Sequence, residues 1–288
     1  MINKIKLYGK LIRSLILKEV VTNEEYGLEY NDISDTYKFW SEQMGKHVDK
    51  IIKLQYLSRK DDSQIIDLAC GTGYITRKIL ASGFKGSIEA VDISPNMLEK
   101  CGDIKTGKVK FICGDGIEFL KNRIGKVDAI YCGWALPYLN YRHFLKSAYN
   151  ALEDEGIIAV ISNSQGTLQG IEDIYLEVME ENINKVIKPM DARIRLPRGV
   201  DGLKKWFQKY NFYPLELGEG EEIIKCDTPQ ELYDWLCKTG ALAGTNKIFE
   251  NMDEIHSSVI EKIKAKKYKE GKYVINHRFV YGIFKKGN

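Results

Sequence analysis

The chain has 288 residues, of which 44% are hydrophobic and 29% charged, which are the proportions of a folded globular protein. Its 43 Lys and Arg residues against 40 Asp and Glu leave a formal net charge of +3, so bulk charge does not indicate a nucleic-acid-binding protein. No apolar run reaches the roughly 20 residues that span a bilayer. We therefore expect a cytoplasmic protein with no membrane partner, in which bulk charge does not favour a nucleic-acid partner, built as one core domain with an elaboration.

The six cysteines are scattered along the chain, with no CxxC pair and no close histidine. This spacing predicts neither a zinc site nor a disulfide framework, and we expect free thiols and no metal. The cysteines are Cys70, Cys101, Cys113, Cys132, Cys226 and Cys237.

Before the first strand, the apolar spacing predicts two helices, over residues 5–21 and 34–57. Arg13 and Lys18 interrupt the first apolar stretch, which favours an amphipathic helix over a signal peptide. Residues 26–37 mix aromatic and turn-forming side chains. They are interpreted either as a lid over a ligand or as a helical extension that caps a sheet edge.

From residue 64, short apolar runs alternate with helical patterns, which predicts a doubly wound α/β sheet. The strands are mostly apolar, as parallel strands buried on both faces are. Ser94 and Pro95 are typical of a helix N-cap and first turn. The predicted strands are 64–69, 87–92, 109–113, 127–132 and 156–162, and the predicted helices are 74–82, 95–101, 117–123 and 143–152.

After residue 162 the regular alternation stops. Thr228, Pro229 and Glu231 are typical of the N-cap, first and third positions of a helix that ends near residue 240. The other predicted elements are helices at 171–187, 201–210 and 253–267, a basic loop at 191–199, and extended segments at 213–225 and 273–285.

A glycine turn follows the first predicted strand. Asp67 lies in the strand, Gly71 and Gly73 follow, and a helical pattern begins directly after them. Glycine reaches positive φ without strain and lets a ligand approach the backbone, so the turn predicts a nucleotide-type cofactor site. A P-loop is excluded because no Gly-Lys-Ser/Thr follows, and the third glycine of the dinucleotide fingerprint is absent at Thr76.

Residues 67–73, Asp-Leu-Ala-Cys-Gly-Thr-Gly, resemble motif I of the class I S-adenosylmethionine-dependent methyltransferases. Asp92 and Asp115 follow at matching places, and residues 30–37 are similar to the Tyr-Asp-x-x-Ala-x-x-Tyr lid segment, with departures at Asn31 and Ser34. The resemblance covers residues 30–162 motif by motif. Beyond residue 201 it continues as an order of elements similar to the trans-aconitate and malonyl-carrier carboxyl methyltransferases.

The resemblance implies S-adenosyl-L-methionine as cofactor, with Asp92 on the ribose, and Ile93 and Met97 beside the adenine. Asp67 would either hold the ammonium group or brace the turn, and Asp115 would either contact the adenine edge or cap the next helix. The implied cofactor-binding residues are Tyr30, Tyr37, Asp67, Ala69, Cys70, Gly71, Gly73, Asp92, Ile93, Met97, Gly114, Asp115, Gly116, Cys132 and Trp134.

The fold implied by the resemblance is a Rossmann-like, doubly wound and mostly parallel seven-stranded sheet, with the last strand antiparallel and a helical cap. The implied segments are a helical lid at 1–60, a cofactor-binding core at 61–162, a cap insertion at 163–200, and a C-terminal completion at 201–288 with a helical insertion at 228–267.

The acceptor is less clearly encoded. Methyl transfer requires alignment of the nucleophile, an oxygen or nitrogen nucleophile can need a base, and a carboxylate needs only a cationic clamp. Arg193, Arg195 and Arg198 form either such a clamp or a solvated basic loop. No catalytic residue is assigned. The candidate substrate-binding residues are Trp40, Tyr138, His143, Arg193, Arg195 and Arg198.

Three functions therefore stay open. The first is methyl transfer to a small-molecule acceptor, with a carboxylate among the options. The second is an RNA or protein methyltransferase on the same fold, supported by the basic tract at 262–272. The third is a regulator that binds the cofactor without catalysis.

Overall fold

The computed structural model describes residues 2–57, 62–104, 106–189 and 196–287. These residues form two compact units, each of which the chain enters more than once. Unit 1 comprises described residues within 1–39, 166–195 and 221–277, and unit 2 those within 40–165, 196–220 and 278–288.

Unit 2 contains a parallel sheet in the strand order β3-β2-β1-β4-β5. This confirms the doubly wound α/β prediction, and the predicted bounds of β2 and β3 are matched residue for residue. The five strands are β1 (Gln64–Leu68), β2 (Ser87–Asp92), β3 (Val109–Cys113), β4 (Val127–Gly133) and β5 (Leu152–Asn163).

The sheet continues past β5 with two long strands that contain residues of both units. β8 (Lys272–Lys286) pairs antiparallel with β5, which confirms the antiparallel last strand, and β6 (Phe212–Cys226) lies beyond it. The described sheet has eight strands where seven were expected, because the two-residue strand β7 (Tyr268–Lys269) forms a short hairpin with β8.

Helices flank the strands in chain order. Those described are α1 (Ile2–Leu17), α2 (Asn23–Asp32), α3 (Lys38–Met44), α4 (Tyr74–Ala81), α5 (Pro95–Glu99), α6 (Gly116–Lys121), α7 (Tyr141–Ala151), α8 (Ile171–Glu181), α9 (Gly199–Gln208), α10 (Pro229–Lys238) and α11 (Asp253–Lys266). Short 3₁₀ turns follow α3 at Gly45–Lys50 and β4 at Leu136–Tyr138.

One face of the unit 2 sheet packs on α6, α7 and α9 through a continuous apolar core. Leu68 and Cys132 point to this face, and Phe207 stacks on Phe284 at 4.0 Å between ring centroids. Each fully buried side chain of this size contributes roughly 1.5–3 kcal/mol. Because side chains alternate along a strand, Asp67 and Tyr131, which are register partners, lie on the opposite face.

Unit 1 is mainly helical, with its core formed by α1, α8, α10 and α11. The predicted cap of α10 is confirmed, since Thr228 accepts the Glu231 N–H at 3.1 Å. The Glu231 carboxylate accepts the N–H of Asp227, one residue earlier than a capping box requires. No helix of the described residues has the length and apolarity to cross a membrane.

In the N-terminal segment the structure adds a helix between the two predicted ones, and the single helix expected at 34–57 was wrong. Residues 23–32 form α2, because Thr22 accepts the Glu25 N–H at 3.3 Å and Glu25 accepts the Thr22 N–H at 2.8 Å, a complete capping box. The single helix expected at 34–57 is the short α3 followed by 3₁₀ turns. At Gly45 a Cβ atom would lie 2.8 Å from the Tyr74 ring, so the backbone approaches α4 closely there.

Candidate active site

The carboxyl ends of β1, β2 and β3 are joined through the end of β2. The Gly71 N–H donates to Asp92 Oδ2 at 2.7 Å, and the Gly114 N–H donates to the Asp92 carbonyl at 2.9 Å. The Cys70 N–H donates to the Val91 carbonyl at 3.0 Å. Three loops from distant parts of the sequence thus form one edge, at the end of a doubly wound sheet where ligands bind.

The glycine turn has an unusual backbone. Ala69, Gly71 and Gly73 have φ of +54°, +54° and +78°, and Gly73 is the N-cap of α4. A Cβ atom at Gly71 would meet nothing within 4 Å, so glycine is required there for its conformation rather than by crowding. Ala69 is held in a conformation that costs a non-glycine residue about 1–2 kcal/mol, and such strain is concentrated at functional sites.

Asp67 braces this turn from below. Its Oδ2 accepts the Thr76 N–H at 3.0 Å and the Thr76 hydroxyl at 2.6 Å, which satisfies a backbone donor in the first turn of α4. The bracing interpretation is therefore what the structure shows, while contact with a ligand stays a prediction. Oδ1 is buried without a hydrogen-bond partner among the described residues. Burial raises the pKa of Asp67 to about 7, with Asp92 adding to the rise and the Thr76 bonds opposing it.

Asp92 is 8% exposed and its carboxylate is held by two backbone donors. Besides Gly71, the Ser94 N–H donates to Oδ1 at 2.9 Å. Burial raises the pKa of this carboxyl above its usual range, although the backbone hydrogen bonds oppose the rise. Two neighbouring carboxyl groups with raised pKa values create a site that favours a cation, because a positive charge nearby stabilises both ionised forms.

Beside Asp92, the side chains differ in what they offer a ligand. Ile93 is exposed, whereas Met97 is buried in α5. Gly114 has open space where a Cβ would lie, and a Cβ at Gly116 would lie 2.9 Å from Leu68. Asp115 is exposed and caps α6 by accepting the Glu118 N–H at 2.9 Å, so its helix-capping interpretation is borne out.

An aromatic cluster follows β4, and we define it as Trp40, His47, Trp134 and Phe279. The Trp134 ring meets Trp40 edge to face at 5.0 Å and Phe279 at 5.6 Å, and the His47 ring lies 4.4 Å from Phe279. Trp134 has φ +64° and donates its N–H to the Ile161 carbonyl at 2.6 Å. Trp40, a candidate for substrate binding, and Trp134, a candidate for cofactor binding, are thus in direct ring contact.

His47 and Phe279 had no role in the sequence interpretation. A signal for His47 was present, because Trp40, Met44 and His47 follow the i, i+4, i+7 spacing of one helix face. Phe279 could be found only from the register of β8, which sets it opposite Asn163 at the carboxyl end of β5.

The other predicted residues belong to several different elements. Tyr30 and Tyr37 belong to unit 1, where their rings meet edge to face at 6.0 Å. Cys70 is buried, and the Cys132 side chain lies in the apolar core on the other face, so only its backbone is available at the end of β4. Tyr138 ends the 3₁₀ turn after Trp134.

Among the other substrate candidates, His143 is exposed in the first turn of α7, with its N–H donating to Asn140 at 3.3 Å. Arg198 is exposed immediately before α9. Arg193 and Arg195 lie outside the described residues. Within the described ranges, no three His, Cys, Asp or Glu side chains are arranged to hold a metal ion.

Residues 65–156 match a family model described as a methyltransferase domain. The chain is 26% identical over 167 residues to malonyl-[acyl-carrier protein] O-methyltransferase of Priestia megaterium, covering 57% of each chain. It is 25% identical over 134 residues to the protein of that name from Acetivibrio thermocellus, covering 46% of this chain and 47% of the relative. The chain thus spans about half the length of the curated relatives it matches.

Solved structures share the fold. A provisionally assigned methyltransferase from Bacillus halodurans C-125 superposes with a TM-score of 0.59 at 17% identity, covering 84% of this chain and 100% of that one. The [4+2]-cyclase SpnF gives a TM-score of 0.56 at 12% identity, covering 93% and 98%. Likeness at these identities concerns the fold alone, and a cyclase on the same fold illustrates that the fold does not fix the reaction.

Proposed function

We propose that this chain, whose residues 65–156 match a methyltransferase domain, is a class I S-adenosylmethionine-dependent methyltransferase that transfers the methyl group to a carboxylate on a small or carrier-linked acceptor. The assignment of the cofactor site rests on the Gly71–Asp92 hydrogen bond, which joins the glycine turn to the end of β2. The assignment of a carboxylate acceptor rests on the relatives, which are named malonyl-[acyl-carrier protein] O-methyltransferases.

The residues at this edge fit the cofactor. Each carboxylate oxygen of Asp92 has a second lone pair that can accept a ribose hydroxyl. The exposed Ile93 and the open space at Gly114 suit a flat adenine ring. The unpartnered, buried Oδ1 of Asp67 suits a water or the ammonium group of the methionine part. When bound, the cofactor supplies an electrophilic methyl sulfonium.

The surroundings of β4 suit an anionic acceptor. A carboxylate that takes up the methyl group becomes a neutral ester, so the reaction consumes one positive and one negative charge. Exclusion of water by the aromatic cluster favours such a step, because the separate charges lose hydration that the neutral products do not need. A carboxylate also needs no base, so the chain has only to align it with the methyl group and hold its second oxygen. We assign that second contact to Arg198, because the Ser164 hydroxyl and the Gln165 N–H donate to the carbonyl of the preceding Pro197 and hold this segment beside the end of β5.

The acceptor class is tested by the chemistry of the product. The purified chain is incubated with methyl-tritiated S-adenosylmethionine and, separately, a malonyl-carrier thioester, free dicarboxylic acids, total RNA and a protein mixture. We expect label in an acid acceptor that mild alkali releases as volatile methanol, because methyl esters are base-labile while N-methyl and C-methyl groups are not. Alkali-stable label, or label confined to RNA or protein, would contradict the proposal. Cofactor binding without transfer to any acceptor would favour the regulator.

A matched pair of variants tests the carboxylate contact. Arg198→Gln should raise the KM for the acid acceptor by roughly tenfold or more, as expected when a charge-assisted hydrogen bond is lost. Lys121→Gln, which removes an exposed cation at the end of α6, should leave it unchanged. Cofactor affinity should be unaltered in both. If the Arg198→Gln enzyme has the KM of the wild type for the acid acceptor, Arg198 does not contact the carboxylate.

A further inference from the structure

Helix α1 presents an apolar face that is exposed in the structure. Ile5, Tyr8, Ile12 and Ile16 are 68%, 47%, 58% and 73% exposed, and we call them the α1 stripe. Their spacings of three, four and four residues place them within roughly a quarter of the helix circumference. Scattered exposed apolar residues are ordinary, but a contiguous row on one helix face indicates an interaction surface.

The other face of α1 is firmly held in unit 1. Leu7 and Ser14 are buried there, and Leu7 belongs to the core with residues of α8. The Lys10 ammonium group donates to the Ile183 and Val186 carbonyls. The α1 stripe is therefore a second apolar face on a helix that is already docked, and the orientation of the helix fixes the stripe outward.

Basic side chains border the stripe. Lys4, Lys6 and Arg13 are exposed, and the sequence of α1 contains no aspartate or glutamate. At about 100° per residue, Lys4 lies along one side of the stripe and Lys6 and Arg13 along the other. A partner that matches this face therefore has an apolar region opposite the α1 stripe and negative charges on both sides of that region.

We infer that α1 docks the protein on an anionic lipid surface, with the stripe at the boundary of headgroups and acyl chains and the basic side chains among the phosphates. A helix with Lys and Arg on its polar flanks and large aliphatic residues on its apolar face is typical of such interfacial binding. The centre of a protein interface is instead enriched in Trp, Tyr, Met and Arg and depleted of Lys. Three of the four stripe residues are isoleucine, which favours lipid over a protein partner.

This inference stands apart from the proposed reaction and differs from the sequence expectation of no membrane partner. That expectation rested on the lack of an apolar run long enough to span a bilayer. An interfacial helix lies in the plane of the surface and needs only one apolar face. The lack of a bilayer-spanning run is therefore compatible with docking of α1 on a lipid surface.

Vesicle flotation of the full chain tests the inference. Vesicles of phosphatidylcholine with about 30% phosphatidylglycerol should carry the protein to the top of the gradient, and pure phosphatidylcholine vesicles should carry roughly tenfold less, with the difference lost in high salt. The double variant Ile12→Asn/Ile16→Asn should bind the anionic vesicles at least about tenfold more weakly, since two aliphatic side chains no longer leave water.

The chain offers a matched control in Ile124, which is 71% exposed and follows α6 in unit 2. Ile124→Asn should bind vesicles as the wild type does, and circular dichroism should show all variants folded, because each substituted side chain is exposed. No binding to anionic vesicles, or equal binding by the stripe variant, would overturn the inference. Capture by an acidic protein that the stripe variant loses, without any vesicle binding, would identify a protein partner and would equally overturn it.

Discussion

Replacing Asp67 by Asn removes a buried charge from beneath the glycine turn while keeping the shape of the side chain. In the folded protein burial raises the pKa of Asp67 to about 7, against an ordinary value of 3.8. Between these two pH values the folded state holds a proton that the unfolded chain has released. The contribution of Asp67 to stability is therefore fully present at low pH and is lost as pH rises toward and through 7.

The size of the effect follows from the two pKa values. A difference from 3.8 to about 7 corresponds to about 4 kcal/mol over the whole range, and about 2–3 kcal/mol of it falls between about pH 5 and pH 8. Asn cannot ionise, so the unfolding free energy of the variant does not fall with pH through position 67. Its amide oxygen can still accept the Thr76 donors, which limits the cost of the substitution itself.

The assay is urea unfolding of the wild type and Asp67→Asn at several values between about pH 5 and pH 8. Carboxyl groups away from this site titrate equally in both proteins, so the difference between the two unfolding free energies reports position 67 together with its coupling to Asp92. We expect this difference to shift in favour of the variant by about 2–3 kcal/mol across the range. Two parallel pH profiles would refute the reasoning, because they would mean that Asp67 is ionised at no cost where it lies.

Three further predictions concern the same site and unit 1. Gly114→Ala should weaken S-adenosylmethionine binding in calorimetry without lowering the Tm. Gly116→Ala should destabilise the folded protein by about 1–3 kcal/mol, because its Cβ would press on Leu68. Equal Tm values for the two variants would contradict this prediction. Affinity for the cationic cofactor should increase from about pH 6 to pH 8 in the wild type and vary less in Asp67→Asn, and identical pH profiles would argue against a nearby ionising carboxyl. The stability of Glu29→Gln relative to the wild type should rise by about 2–3 kcal/mol from about pH 5 to about pH 8, since burial raises the pKa of Glu29 to about 7; a variant less stable than the wild type at about pH 8 would show that the charge is stabilising.

The cofactor half of the sheet could be predicted because its signals are local. Each strand from β1 to β4 is a short apolar run followed by a turn residue, and burial on both faces leaves such runs with few alternatives. Asp92 and Gly114 were implied by the resemblance at the ends of two strands, and parallel strands bring those ends to one edge. The hydrogen bonds that join them follow from that topology.

The N-terminal segment was harder for two different reasons. The capping box of α2 at Thr22 and Glu25 was present in the sequence but was outweighed by the aromatic and turn-forming residues that follow it. The end of α3 depends on a tertiary contact, because Gly45 lies against the ring of Tyr74. Nothing in the local pattern specifies that neighbour.

The acceptor side depends on contacts across the longest sequence separations. Trp40 and Phe279 both meet Trp134, yet they come from opposite ends of the chain, and only the insertion of β8 beside β5 brings Phe279 there. A sequence motif can specify a cofactor loop within ten residues. The wall of the proposed acceptor site comes from three separate segments and has no such signature.

The central claim, that the joined ends of β1 and β2 bind S-adenosylmethionine, is tested most directly by calorimetric titration of Asp92→Ala against Asp128→Ala. The two aspartates are matched, at 8% and 5% exposed, and each accepts a strand-end backbone N–H, from Gly71 at 2.7 Å and from Gln64 at 2.8 Å. Both variants should lose stability, because each removes a buried hydrogen-bond acceptor. Asp92 and Asp128 accept N–H groups at opposite ends of β1, so only Asp92→Ala should lose affinity for S-adenosylmethionine. We expect a loss of roughly a hundredfold, because the carboxylate would accept two ribose hydroxyls. Cofactor affinity that is unchanged in Asp92→Ala, or equally reduced in both folded variants, would contradict the account.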